Sequence, residues 1–581
     1  METKITMALN LVNQLGEWNP QLFREIKGRL TPRNTLIAVV ISLLGQLLLL
    51  MSFTNHLPVA PPIGDNYSPI YNRYCTGNPR YLGDVDYLCV RIADDSFGIN
   101  WQMWWQDVFV WLSIFGLFAL LVGGTYMLVN DLSKEEHRGT LNFLRLAPQS
   151  SRSILIGKLM GVPILLYLLG LLALPLHLAA GLSSQIPLHL ILGFYTVLGA
   201  SWLFFYSGAL LFGLVGSWLG SFQAWLGSGA VLMFLFHMTN LIYEHRPIVH
   251  HAPTDWMTLF APLTVLPYLS TKALMAAESA QTYGVENLQW FYLPVGLSVW
   301  STFGLMLLNY GLWTYWVWQG LARCFHNPSV TLLGKQQSYW LTACFEVVIL
   351  GFALNPKLGT WRGFPRDTFD NFGMLLVFNL LLFLYLIAAL SPQRQAIQDW
   401  ARYRHQKRSL AKGGVMSDLL WGEKSPALVA VVMNVAIASA MILPWILLWP
   451  ESQYKTPALW GLLLNMSLIC VYAAIAQLML LMKTPKRLPF AAATVGLLVV
   501  IPPILFSLLS REPFKNQDLW LFSAFPWMAR EHTTPLAVFL AVVSQSLVLG
   551  LLSIQLTRQL HKAGESSTKA LLSGRPPVAI D

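Results

Sequence analysis

Four stretches of this chain, 36–53, 108–129, 154–182 and 534–556, are apolar and nearly without charge. Each approaches or exceeds the roughly 18–20 residues that a helix needs to cross the hydrocarbon of a bilayer. A strand of a membrane barrel alternates in polarity over about ten residues. These runs are apolar all round, so they suit helices. Composition agrees: 55% of the 581 residues are hydrophobic and 11% are charged, whereas soluble domains carry about 25% charged residues. One water-facing globule could not bury so much apolar surface. The expected fold is an all-α integral membrane protein.

The apolar runs predict about twelve transmembrane helices, at 36–53, 108–129, 154–182, 188–215, 223–243, 291–318, 338–354, 371–391, 427–449, 457–482, 488–509 and 534–557. The first follows a long polar leader without a small-x-small cleavage site, so it is expected to be retained as a span. With the N-terminus inside, about two thirds of the 38 Lys and Arg fall on the cytoplasmic side, and acidic residues gather outside. That is the positive-inside asymmetry. It predicts a multi-pass protein of the plasma (inner) membrane with both termini cytoplasmic. The most basic connection, 394–424, holds Arg402, Arg404, Lys407, Arg408 and Lys412 and must be cytoplasmic in this topology. These charges read as topological anchors, and nothing calls for a nucleic-acid partner. Trp101, Trp104, Trp105 and Trp111 read as an aromatic belt at the second span.

Several function classes lose ground. Ion-coupled transporters keep ionisable residues inside the bundle, and Glu346 is the sole acidic residue within an expected span. His177 and His237 read as helix–helix contacts. A phosphate-binding loop is missing: Gly157-Lys158 and Gly334-Lys335 lack both the upstream glycine and the following Ser or Thr. ATP hydrolysis, if it drives this chain, belongs to a second polypeptide. The run from Glu244 through His245, His250 and His251 to Asp255 matches no zinc spacing. No metal ligand and no catalytic residue is assigned. Cys75 and Cys89 share a polar loop expected outside. A disulfide is the favoured reading in an oxidising compartment, with two unrelated thiols as the alternative.

Two segments carry the functional signal. In 19–30, Asn19 suits an N-cap and Pro20 a first helical turn. Leu22, Phe23, Ile26 and Leu30 can share a face, with Arg24, Lys27 and Arg29 on much of the remainder. Such a helix, with Glu25 among its polar residues, would lie in the cytoplasmic membrane interface and touch lipid. In 131–158, Leu141, Phe143, Leu144 and Leu146 form a short amphipathic segment ended by Pro148, with Ser150 and Ser153 placed to cap the next helix. Acids precede this segment and bases follow it, which suits docking to a cytosolic protein.

Glu135-Glu136, Gly139-Thr140-Leu141, Pro148 and the 154–158 run together resemble the coupling loop of ABC-2 type transporter permeases. The Asn-Pro-x-x-x-Arg-Glu-x-Lys stretch is similar to the interfacial helix that opens many of these subunits. The resemblance covers the first 335 residues. It implies a membrane subunit of an ATP-driven transporter, one of a family whose members export lipids, glycans, drugs or peptides. By this resemblance a separate ATP-binding subunit, holding ATP and magnesium, docks on Glu135, Glu136, Arg138, Gly139, Thr140 and Leu141. The interfacial helix then comprises Asn19, Pro20, Arg24, Glu25 and Lys27, and short re-entrant helices fall near 255–280.

Typical subunits of that family have six spans, and the second half of this chain echoes the first. Asn327-Pro328 with Lys335 repeats the spacing of Asn19-Pro20 with Lys27. The 418–426 segment parallels 131–136, and 518–526 parallels 255–262. The expected organisation is a cytoplasmic 1–35, a first six-helix unit at 36–320 with outer loop 54–107 and coupling loop 131–153, a second six-helix unit at 321–557, and a disordered cytoplasmic tail at 558–581. If the halves are not a fused pair, the chain would form a homodimer. A twelve-helix secondary transporter and a membrane enzyme acting on lipid or glycan are the alternatives.

Overall fold

In a computed structural model, several helices begin at a residue whose side chain caps them. The described residues are 16–60, 69–82, 84–93, 96–243, 248–269, 285–354, 360–361, 364–365, 368–407, 414–450, 452–509, 517–529 and 533–564. Helix α1, Pro20–Arg29, starts from Asn19, whose side chain accepts from the Leu22 N–H. Helix α2, Pro32–Asn55, starts from Thr31. Asn100 caps α3, which runs over Trp101–His137, and Ser150 caps α5, Ser151–Gly161. Between them lies the seven-residue α4, Thr140–Leu146. Then come α6 (Ile164–Ser183), α7 (Leu188–Val215), α8 (Phe222–Tyr243), α9 (Val299–His326), α10 (Lys335–Ala353), α11 (Thr368–Leu390), α12 (Arg394–Lys407), α13 (Val415–Trp421), α14 (Leu428–Leu447), α15 (Ser452–Leu480), α16 (Arg487–Leu509) and α17 (Pro535–Gly564).

Ten helices among the described residues are long and apolar enough to cross a membrane. They make this an all-α membrane protein of many passes. Helices α9 and α10 occupy two further expected spans but are too polar over their length to count with the ten. The run 154–182, expected as one span, is two helices. Pro163 has no N–H to continue the ladder, so α5 ends at Gly161 and α6 begins at Ile164. Lys158, nominally inside that run, therefore lies outside a span. The last helix continues to Gly564, so 558–564 is helical rather than tail; 565–581 lies outside the described residues. The coupling segment 131–153 is not one loop. Its first seven residues complete α3, and α4 follows.

The chain divides into two compact units. The first comprises Met1–Val249, Met257–Leu288 and Pro294–Ala322; the second comprises His250–Trp256, Gln289–Leu293 and Arg323–Asp581. In the first, α3 packs against α6, α7 and α8, and α2 lies along α6. The segment between α2 and α3 contains a small β module that sequence periodicity did not announce. Strands β1 (Tyr71–Asn72), β2 (Pro79–Leu82) and β3 (Asp84–Leu88) form an antiparallel sheet in the order β1-β3-β2, and β4 (Arg91–Ala93) pairs with β5 (Ser96–Phe97). Cys75 and Cys89 are joined by a disulfide and bury against Phe97. Arg73 and Tyr74 tie the module to Asp107 of α3, at 2.9 and 3.0 Å. In the second unit α15 is central, contacting α11, α14, α16 and α17.

Candidate coupling site at one end of the first unit

Helix α1 does not rest on apolar residues alone. Its buried face is Gln21, Leu22 and Glu25, and it lies against α5. Gly157 and Gly161 make that approach possible. A Cβ at Gly157 would stand 2.8 Å from both Asn19 Oδ1 and the Leu22 nitrogen, and one at Gly161 would stand 2.5 Å from Glu25 Cβ. Asn19 does double duty: Oδ1 caps α1, while Nδ2 donates to the Ser153 carbonyl at 2.8 Å. Phe23 is half-buried and Leu30 is exposed, and Lys27 Nζ stands 5.9 Å over the Phe23 ring, apart from the rest of the site.

The close packing brings three carboxylates and three cations together. Lys158 of α5 has a side chain 0% exposed, and its ammonium lies 2.7 Å from Asp131 Oδ2, 2.7 Å from Glu135 Oε2 and 3.7 Å from Glu25 Oε1. Arg29 reaches Asp131 Oδ1 at 2.6 Å and Glu25 Oε2 at 3.1 Å. Arg24 reaches Glu135 Oε1 at 3.0 Å. The carboxylate oxygens of Glu25, Asp131 and Glu135 lie within 4.8 Å of one another, a spacing that could hold a metal ion. The Lys158 ammonium, in contact with all three, already fills that role. Burial pulls the Lys158 pKa down, but Asp131, Glu135 and Glu25 together outweigh it and hold it above the ordinary 10.5. The lysine stays charged at every physiological pH.

From this base the chain turns outward. Gly139 takes a left-handed conformation, φ +71°, and Thr140 Oγ1 donates to the Glu135 carbonyl at 3.2 Å. Helix α4 is moored by Leu141, which is buried, and by Arg145 paired with Glu136 at 3.6 Å. Arg138 is exposed. Phe143 is 76% exposed and Leu146 84%. One turn of helix separates them, so they share a face opposite Leu141.

Of the residues singled out from sequence, Asn19, Arg24, Glu25 and Glu135 thus converge beneath the loop. Glu136, Arg138 and Thr140 lie at its surface, Leu141 lies below it, and Pro20 opens α1. Asp131, Arg29 and Lys158 complete the cluster, and Phe143 and Leu146 form its projecting face. A lysine inside an otherwise apolar run was the signal for the cluster, because a buried ammonium requires a carboxylate.

The other candidates lie elsewhere in the fold. Asp255 accepts from the backbone N–H groups of His250 and Ala252, at 2.8 and 3.2 Å; Glu244 and His245 lie outside the described residues. His177 bonds Ser113 Oγ and Tyr195 OH, at 2.8 and 2.7 Å. Glu346 is fully buried and accepts from Asn379 Nδ2 at 3.4 Å. In the second unit, Lys335 Nζ donates to the Leu419 carbonyl at 2.6 Å, Ser425 Oγ at 2.5 Å and the Pro426 carbonyl at 3.2 Å, which anchors the end of α13. No protein-family model, no curated protein and no solved structure matches this chain.

Proposed function

We propose that the chain is the membrane-spanning permease subunit of an ATP-driven ABC transporter, acting as an exporter in the plasma (inner) membrane with both termini cytoplasmic. A separate ATP-binding subunit supplies ATP and magnesium, and this chain is not itself an enzyme. One observation carries the reading. Helix α4 projects two large apolar side chains, Phe143 and Leu146, from a base fixed by three ion-paired carboxylates and a buried lysine. A projecting apolar pair on a rigid mount suits a protein partner that pushes on it. Such a push on α4 would pass through Glu135 and Asp131 into α3, which is also the second span.

A tandem pair of permease units would let one chain supply both halves of a translocation path. Support comes from the third sequence match. The segments Pro253–Phe260 with Pro262–Val265, and Gln517–Phe522 with Pro526–Met528, are both pairs of 3-10 turns broken before a proline. The first match does not keep its local structure: 20–29 is helical, while 328–334 is a turn-rich link before α10.

The chain purified from its native membrane in mild detergent is expected to carry a partner with ATPase activity. Phe143→Ser with Leu146→Ser should remove that partner while leaving the melting temperature nearly unchanged, since exposed substitutions rarely cost more than about 0.5 kcal/mol. Two ATPase subunits per chain would support the fused pair. A chain that shows no ATPase even after cross-linking would overturn the proposal and return Glu346 and the secondary-transporter reading to the front.

A further inference from the structure

A cavity of about 280 Å³ opens in the first unit, lined by Arg152 and Ile156 of α5 and by Tyr315, Trp318 and Gln319 of α9. Its wall is apolar and aromatic. Trp318 is held in place by its indole N–H, which donates to Ser207 Oγ at 2.9 Å. Ile156 is half-buried, and Tyr315 is exposed on α9. Arg152 stands at the mouth. Its guanidinium is exposed and makes no hydrogen bond or ion pair among the described residues. Lys158, two turns along the same helix, is by contrast fully paired.

The position of the cavity narrows its ligand. Helix α5 is not a span; it carries α1 and precedes the membrane helix α6. The cavity therefore lies at the membrane boundary, where Trp and Tyr gather. A ligand that satisfies it has one anionic group for the arginine and an apolar tail for the wall. The volume falls just below that of small-ligand sites, about 300–1,000 Å³. It suits a headgroup and the first part of one chain, the remainder lying along α9. We propose that this is a binding site for an anionic phospholipid, with the phosphate on Arg152 and an acyl chain against Ile156, Tyr315 and Trp318. Because α5 also holds Gly157, Lys158 and Gly161, a lipid seated here braces the helix on which α1 and the ion cluster are built. The inference needs only a chain that spans a membrane and is independent of any ATPase partner.

The full chain in nanodiscs of phosphatidylcholine with a minor share of phosphatidylglycerol would be released for native mass spectrometry, and the retained lipids counted. The wild type is expected to retain phosphatidylglycerol above its share. Arg152→Gln should cut that preference about fivefold, the value of one basic side chain beside an anionic surface, about 1 kcal/mol. Ile156→Trp, which fills the cavity and keeps the arginine, should cut it as well. Lys486→Gln, at a basic residue that does not line the cavity, should not. Inorganic phosphate should fail to displace the lipid, because the chain contributes to binding; displacement by phosphate would mark an anion site instead and overturn the lipid assignment. Equal retention by wild type, Arg152→Gln and Ile156→Trp, with all three melting alike, would overturn the proposal outright.

Discussion

Lys158 is the residue on which one end of the first unit depends. Its ammonium is sealed from water against three carboxylates. Removing one member of such a buried group leaves charge without compensation, at about 3–5 kcal/mol. Lys158→Met should therefore lower stability by that order in thermal or denaturant unfolding of the detergent-solubilised chain. Arg24→Gln, at an exposed arginine of the same cluster, should cost well under 1 kcal/mol. Equal losses from the two would show that the cluster acts by screened surface charge. Lys335 behaves in the opposite sense. Burial pushes its pKa down to about 8, with Asp418 pulling upward. Between about 8 and the unfolded value of 10.5 the folded chain binds fewer protons than the unfolded one, so this residue's contribution to stability rises with pH across that window. Melting curves of wild type and Lys335→Met should diverge in slope there, the wild type gaining.

Among the elements, α3 carries the most information. Its 37 residues are interrupted by a π-helical turn at Ala119–Gly123. At that turn the Leu120 carbonyl accepts from the Gly124 N–H and also from Tyr206 OH, at 2.6 Å. The hydroxyl occupies the space a Cβ at Gly124 would need. Gly124→Ala should thus cost about 1–3 kcal/mol by overpacking. Combining it with Tyr206→Leu, which clears the space, should recover part of that loss. Strict additivity in a double-mutant cycle would sink this account. Helix α1 is the second informative element. Sequence pattern placed its apolar residues on one face; in the structure Leu22 is buried, Phe23 and Ile26 are half-buried and Leu30 is exposed. The face that seats it, however, is Asn19, Gln21, Leu22 and Glu25, because the two glycines of α5 admit polar atoms close to a backbone. Hydropathy alone cannot register a polar face satisfied by a partner distant in sequence.

At the scale of the molecule, the ten apolar helices with α9 and α10 would give an even number of crossings. Tags on the two termini should then be cleaved by protease from the same side of sealed vesicles, and cleavage from opposite sides would require an odd number. The division into two units falls near Ala322 and Arg323, yet the 250–256 and 289–293 segments cluster with the second unit although they precede that point in sequence. Chain order predicts a boundary between consecutive runs; it does not predict which unit a connecting segment joins. The membrane character, the helical class and most span positions were determined by sequence alone, because an apolar run longer than a bilayer is thick has few other places to go. The N-caps at Asn19, Thr31, Asn100 and Ser150 are equally local, since a short polar side chain needs only the next turn to bond. The parting of α5 from α6 at Pro163 is local as well, whereas tertiary structure alone decided that Lys158 joins Asp131, Glu135 and Glu25 and that Phe143 and Leu146 face outward while Leu141 is buried. Both outcomes rest on which helix lies beside which, and pairings between side chains of different helices leave no periodic trace in the chain.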